Sequence, residues 1–372
     1  MAKSAKSRTT SSSILTPRSW EFLKKYIDNP SPVGFESSGQ KIWLDYLKPY
    51  VDTHLTDPYG TAVGIVNPNS PFKVVIEAHA DEISWFVNYI NKEGLIYLKR
   101  NGGVDHQIAP GMRVFIHGKK GTVPAVFGWP AIHTRIGNPD AKEPQPKVDS
   151  LFLDTGGRTK EEVEALGVHI GSVVTYQDGF GELAHDYLIG RAFDNRIGGF
   201  MIAEVARLLH ENKKKLPFGL YVVNAVQEEV GLRGAEMIAR RLKPNIAIIT
   251  DVTHDTTTPM INKNIEGDVA CGKGPSLAFG PAVHNKLLAI VQETAEKHEL
   301  PVQMRAVSRS TGTDTDSFAY ANDGCPSVLI SLPLRYMHTT VEMLHRRDVE
   351  QTIRLMYETL LTLTPKTNLS YL

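Results

Sequence analysis

The residues VVNAVQEEVGLRGAEMIARR (222–241) open as a largely apolar run and close as a helix. Tyr221 to Val226 is rich in β-branched side chains and short enough for a buried strand. It stops at Gln227 and two adjacent glutamates, Glu228 and Glu229; Gly231 then marks a turn, and AEMIARRLK carries apolar residues at helical spacing. A strand that feeds a helix through a polar turn is half of a βαβ unit. Two carboxylates side by side at that turn need a reason, and the rest of the chain supplies candidates.

The same alternation recurs from about Gly190 onward. NRIGGFMIAEVARLLHE (195–211) predicts a helix, NIAIITD a strand, NKLLAIVQETAEKHE a helix, PVQMRAV a strand, TDSFAYAN a helix, SVLISL a strand and HRRDVEQTIRLMYETLLTL a closing helix. Near the start, SWEFLKKYID and GQKIWLDYLKPYV predict helices separated by Asn29-Pro30-Ser31-Pro32, and FKVVIEAHADEIS predicts a strand with a polar end. Between these parts lie short β-like runs punctuated by Gly and Pro: LIYLKR, RVFIHG, TVPAVFG, LFLDTG and SVVTYQ, interrupted once by the helical KEEVEALG. The fold class expected is α/β: a helix-covered mixed, mostly parallel sheet with an inserted small β-barrel domain. The domains expected are 16–84 with 184–372 for the α/β part and 85–183 for the insert. Residues 1–15, which open MAKSAKSRTTSSS without an apolar core, are not a secretory signal; they read as a disordered tail, with a transit peptide as the alternative.

Composition excludes several classes. Lys+Arg and Asp+Glu are equal at 41 each among 372 residues, so no overall field argues for nucleic acid or an anionic membrane. No apolar run approaches the ~20 residues of a membrane span. The two cysteines, Cys271 and Cys325, are too few for a disulfide framework, which suits a reducing, cytoplasmic setting.

The chemistry gathers where strands end. VVIEA leads to His79-Ala80-Asp81, the 221–226 run to Glu228-Glu229, IAIIT to Asp251, and SVLISL is followed within a few residues by His338. In open α/β sheets, sites form outside the carboxyl ends of the strands. Asp194, in GRAFDNRIGG, joins them where a loop enters a helix. Each has a bland reading: an N-cap at Asp194, an acidic first turn at Glu228-Glu229, an Asx-turn at Asp251, a simple polar strand end at His79-Ala80-Asp81. Together, two imidazoles and several carboxylates suit zinc or a similar divalent ion, and their number suits two ions. Asp81 shares a strand face with His79 and can accept its imidazole proton. In an extended segment Glu228 and Glu229 point to opposite sides, so one can bind metal while the other faces substrate or water. Adjacent carboxyls are ill placed to straddle a glycosidic bond.

The set HADEI, GRAFDNRIGG, QEEVGLRGA, TDVTHD and RYMHTTVEML resembles, in order and over nearly the whole chain, the dinuclear aminopeptidases of metallopeptidase family 42. That resemblance implies two divalent metal ions per subunit, zinc or cobalt. His79 and Asp251 would bind one, Glu229 and His338 the other, and Asp194 would bridge them. It implies Glu228 as general base, Asp81 as partner of His79, a cis Asp194–Asn195 peptide, peptide substrates with a free N-terminus, and assembly through the β domain into dimers and a dodecamer. Ser310-Thr311 replace the glycines usual in one loop of the family. Alternatives are another amidohydrolase or an endoglucanase-type glycan hydrolase on the same scaffold, and a non-catalytic assembly protein.

Overall fold

A computed structural model describes residues 13–135 and 145–372. Most of the tail expected to be disordered, residues 1–12, lies outside the described residues. The last part of that stretch is packed: the Ser13 hydroxyl donates to Glu350 and Leu15 is buried.

An eight-stranded mixed sheet organises the larger part, in the order Thr53–Thr56, Ala62–Val66, Gly219–Ala225, Lys73–His79, Ile246–His254, Ser327–Leu334, Ser276–Phe279, Gln303–Ala306. The four strands from Gly219–Ala225 to Ser327–Leu334 run parallel. They are buried almost throughout, as strands covered on both faces must be. The short pair Thr53–Thr56 and Ala62–Val66 adds an antiparallel edge, and Ser276–Phe279 adds an interior antiparallel neighbour. None of these three strands was expected from the residue pattern.

The helix Phe193–Glu211 lies on one face, against Lys73–His79 and Ile246–His254, and is enclosed by Pro17–Asp28, Ser37–Leu47 and Arg346–Thr362. Nearly every residue of it is buried, charged Arg196, Glu204 and Arg207 included, and the last two pair with each other at 2.7 Å. Gly198 permits the close approach: a Cβ there would stand 2.8 Å from that of Ala78 in the strand beneath. Arg233–Leu242 and Thr315–Ala319 pack together on the other face.

Ser84–Ile90, Ile96–Asn101, Phe152–Asp154, Gly121–Phe127, Arg113–Gly118 and Val173–Tyr176 close, in that order, into an antiparallel barrel. Trp85, Ile116, Phe127 and Leu153 help fill its separate core. The chain leaves the strand Lys73–His79 and enters the barrel at Ser84, so residues 80–83 are the whole link on that side. It returns through a small sheet, Gly181–Glu182, Tyr187–Gly190 and Glu342–His345, which pairs Gly190 with Glu342 just ahead of the long helix. Among the described residues, no helix is long and apolar enough to cross a membrane.

Candidate metal centre

The parallel strands bring the expected residues to one place. His79 ends its strand beside Ala225. Ile249 pairs with Glu77, and the same offset puts Asp251 level with His79. Asp251 was expected at a strand end; it lies inside one, because Ile246–His254 keeps pairing with Ser327–Leu334 up to Leu334. Asp194 sits in the first turn of the long helix with non-helical torsions, and its peptide bond to Asn195 is cis. Asn195 donates its side-chain amide to the carbonyl of Thr250 at 2.8 Å, which ties this turn to the strand carrying Asp251.

The expected extended geometry at Glu228-Glu229 is not what forms. Glu228–Val230 is a single 3-10 turn, entered through a left-handed Gln227 (φ 58°) and left through Gly231 (φ 116°). Asp81 explains the turn: its two carboxylate oxygens accept the backbone N–H of Glu228 at 3.0 Å and of Glu229 at 3.1 Å. The two side chains nonetheless reach different imidazoles. Glu228 reaches to 3.7 Å from Nε2 of His79, and Glu229 to 3.4 Å from Nε2 of His338.

Asp194 stands between the imidazoles. Its Oδ1 is 3.3 Å from Nε2 of His79 and its Oδ2 is 3.2 Å from Nε2 of His338. Asp251 Oδ1 is 3.9 Å from the same His79 nitrogen, and Asp81 Oδ1 is 3.4 Å from its Nδ1. Three overlapping triads, His79/Asp194/Asp251, His79/Glu228/Glu229 and Asp194/Glu229/His338, have ligand atoms within 4.8 Å of one another.

The electrostatics ask for added positive charge. Burial pushes Glu228 up to about 10; His79 opposes this, while Asp314, Asp251 and Glu229 add to it. Burial also raises Asp251 to about 7. Burial alone would lower the imidazoles, yet the carboxylates around them hold His79 well above its usual value and His338 up at about 12. A bound cation would offset the same crowding of carboxylates that protons offset here. The donor set, nitrogen and oxygen only, fits zinc or a comparable divalent ion. Nδ1 of His79 is buried without a hydrogen bond, and Asp81 is the carboxylate poised to take its proton once Nε2 is engaged.

Several participants escaped the sequence reading. Glu342 is buried and accepts the backbone N–H of Asp194 at 3.0 Å and of His338 at 2.9 Å. It lies inside the stretch already singled out for His338, on the short strand Glu342–His345, but nothing in the residue pattern marks it as buried. The carbonyl of Gly103, just past the barrel strand Ile96–Asn101, lies 3.1 Å from Nδ1 of His338. A Cβ on Gly103 would stand 2.8 Å from that imidazole and would have to displace it. Glu77 and Asp314 are fully buried and raised by burial, Glu77 to about 8. They form an acidic layer behind His79 that no strand-end search would find.

Beside the cluster opens a cleft lined by all the candidate residues except His79 and Asp81. The M42 glutamyl aminopeptidase family profile matches residues 60–355. A lysyl aminopeptidase of Pyrococcus furiosus is 32% identical over 93% of this chain and 98% of its own. A TET aminopeptidase from a marine-sediment Thaumarchaeota archaeon is 30% identical, with a TM-score of 0.89 over 95% of this chain and 99% of its own. A Pyrococcus horikoshii TET1 peptidase, described as assembling into a tetrahedron or a large octahedral shell, is 26% identical, with a TM-score of 0.80 over 91% and 98%.

Proposed function

Because this chain belongs to the M42 glutamyl aminopeptidase family, we propose that it is a metal-dependent aminopeptidase that removes N-terminal residues from peptides. The observation that carries the reading is Asp194, whose two oxygens face two different imidazoles at 3.3 and 3.2 Å. That is the geometry a bridging carboxylate needs. His79 and Asp251 would hold one ion, Glu229 and His338 the other, with zinc or cobalt the metals expected of such donors. Bound there, the ions would polarise the scissile carbonyl and acidify a water.

The chain's own groups do the rest. Glu228 lines the cleft and is the proposed general base: it takes a proton from the attacking water and returns it to the leaving amine. Asp81 orients His79 from behind and fixes the turn that carries Glu228 and Glu229 to different imidazoles. The α/β unit, 16–84 with 184–372, is proposed as the catalytic domain and 85–183 as the inserted one. Self-association follows the TET relatives, with a dodecamer built through barrel contacts as the specific proposal. Exposed Tyr89, Val126 and Ile170 on the barrel support it.

Aminoacyl-anilides with a free α-amine, tested beside their N-acetylated forms, check the activity. Cleavage of the free forms alone, abolished by chelator and restored by zinc or cobalt, is expected. Preference for the N-acylated forms, or turnover of a glucan, would overturn the reading.

A further inference from the structure

Glu36 is buried at the N-cap of the helix Ser37–Leu47, yet its side chain makes no capping bond there. A short Ser, Thr, Asp or Asn would serve that helix end better. The carboxylate is used elsewhere. It accepts the Gly34 N–H at 2.7 Å and meets the backbone N–H of Gln227. Burial, and after it repulsion from Asp81, pushes Glu36 up to about 7, and the N–H groups of Gly34, Glu36 and Gln227 pull it back. Asp81 holds the next two N–H groups, those of Glu228 and Glu229. Two carboxylates from different segments therefore grip three consecutive N–H groups of one turn. Gln227 is the left-handed entry to that turn, a conformation that a non-glycine residue keeps only where its surroundings hold it.

The base on which Glu36 stands is fixed from two sides. Gln40, one helical turn further on, donates its amide to the Asn224 carbonyl at 2.7 Å and accepts from the Asn224 side chain at 2.8 Å. Asn224 belongs to Gly219–Ala225, the strand that runs into Gln227. Glu36 and Gln40 share one face of the helix, so that face is registered on the strand end and on the turn together. Ahead of the helix, the Val33 N–H donates to the Glu82 carbonyl at 3.1 Å, and the Val33 carbonyl accepts the Asn101 amide at 3.0 Å. The segment is thus anchored to the link into the barrel and to a barrel strand as well.

We propose that Glu36 is a positioning residue for the reaction: by holding Gln227 it sets the aim of Glu228. The inference rests on the aminopeptidase reading, with Glu228 as general base, and deepens it. Glu36 does not line the cleft and acts only through the turn. Its effect falls on Glu228 more than on Glu229. A bound ion would hold Glu229 in place by coordination, whereas Glu228 binds no ion in this reading and depends on its backbone for direction. A misplaced base loses rate at the chemical step while binding of substrate is kept.

The test measures kcat and KM of the full-length, metal-loaded protein on a free aminoacyl-anilide, beside metal content and the urea midpoint. It is run for the wild type, Glu36→Gln, Glu36→Ala, Glu228→Gln and the double variant Glu36→Ala/Glu228→Gln. Rates are taken per molecule carrying both ions, so unfolded or under-loaded protein does not count. Glu36→Ala is expected to lower kcat about 10–100-fold with KM little changed. Glu36→Gln, which keeps one acceptor oxygen, should lose less. In the double variant the loss of Glu36 should cost almost nothing beyond Glu228→Gln, since no base is left to aim. An unchanged kcat in Glu36→Ala with only a lowered urea midpoint makes Glu36 a purely structural residue and overturns the proposal. So does a loss of rate that excess metal restores, or one that multiplies in the double variant. Wild-type turnover in Glu228→Gln alone overturns the general-base reading, a result obtained without any change at Glu36. A wild type that cleaves no aminoacyl-anilide overturns the aminopeptidase reading, and this inference falls with it.

Discussion

Replacing Glu342 should loosen both halves of the metal centre at once. Its carboxylate is buried and serves two backbone N–H groups, those of Asp194 and His338. Each N–H left buried without an acceptor costs about 1–3 kcal/mol. Glu342→Ala strands both, for roughly 2–6 kcal/mol in the metal-free protein. That loss is reduced because burial, and after it repulsion from Asp194, holds the Glu342 carboxyl well above its usual value. Glu342→Gln keeps one acceptor oxygen but turns an NH2 toward the second donor, so about half the cost remains. The effect on metal should exceed the effect on folding. Asp194 faces both imidazoles, and losing a group that orients ligands typically weakens binding by about 10–100-fold. Thermal unfolding of the metal-free protein gives the first quantity, and competition against a chromophoric chelator gives the second. If Glu342→Ala binds both ions with wild-type affinity, Glu342 does not position the ligands and the reasoning is wrong.

Other outcomes are checked more simply. Glu228→Gln should keep its metals yet lose about 10²–10⁴-fold in kcat, read by metal content beside turnover. Asp194→Ala should lower the occupancy of both ions together; normal metal content would refute the bridge. Gly198→Val forces a side chain where a Cβ already stands 2.8 Å from Ala78, and overpacking of this kind costs about 1–3 kcal/mol, measured as a lowered midpoint in urea. Burial alone would raise Asp255, but bonds from Thr257, Arg335 and the Cys271 N–H win and depress it to about 2. A depressed carboxylate stabilises the fold above its unfolded value and stops doing so as pH falls through the folded one. Asp255→Asn should thus cost roughly 2 kcal/mol near neutrality and close to nothing at pH 2, a difference that denaturant titrations at the two pH values would reveal.

The residue pattern exposed the parts of this architecture that repeat. Buried parallel strands announce themselves as apolar runs, and a polar residue ending such a run stands out, so His79, Glu228 and Glu229 could be gathered without coordinates. Asp251 could too, although its strand continues past it. The edge pair Thr53–Thr56 and Ala62–Val66 stayed hidden because it is short and glycine-broken, and its pairing is decided by the neighbour it finds. Glu342, Glu77 and Asp314 stayed hidden for another reason. A carboxylate becomes informative when it is buried, and burial here depends on contacts between segments far apart in the chain. The turn at Glu228 was misjudged because Asp81, from another strand, supplies the acceptors that bend it.

The contact between Gly103 and His338 changes what kind of object the barrel is. Its strands run from Ser84 to Tyr176, an interval that interrupts the α/β part and so looks exchangeable as a cassette. Yet its backbone touches a site imidazole on one side, and on the other it is joined to His79 by residues 80–83 alone. A tilt of the barrel against the sheet would therefore be transmitted to both imidazoles in the same movement. A chimaera carrying a foreign barrel would have to reproduce this angle as well as the fold. If the proposed assembly through the barrels forms, assembly and catalysis would share a mechanical coordinate.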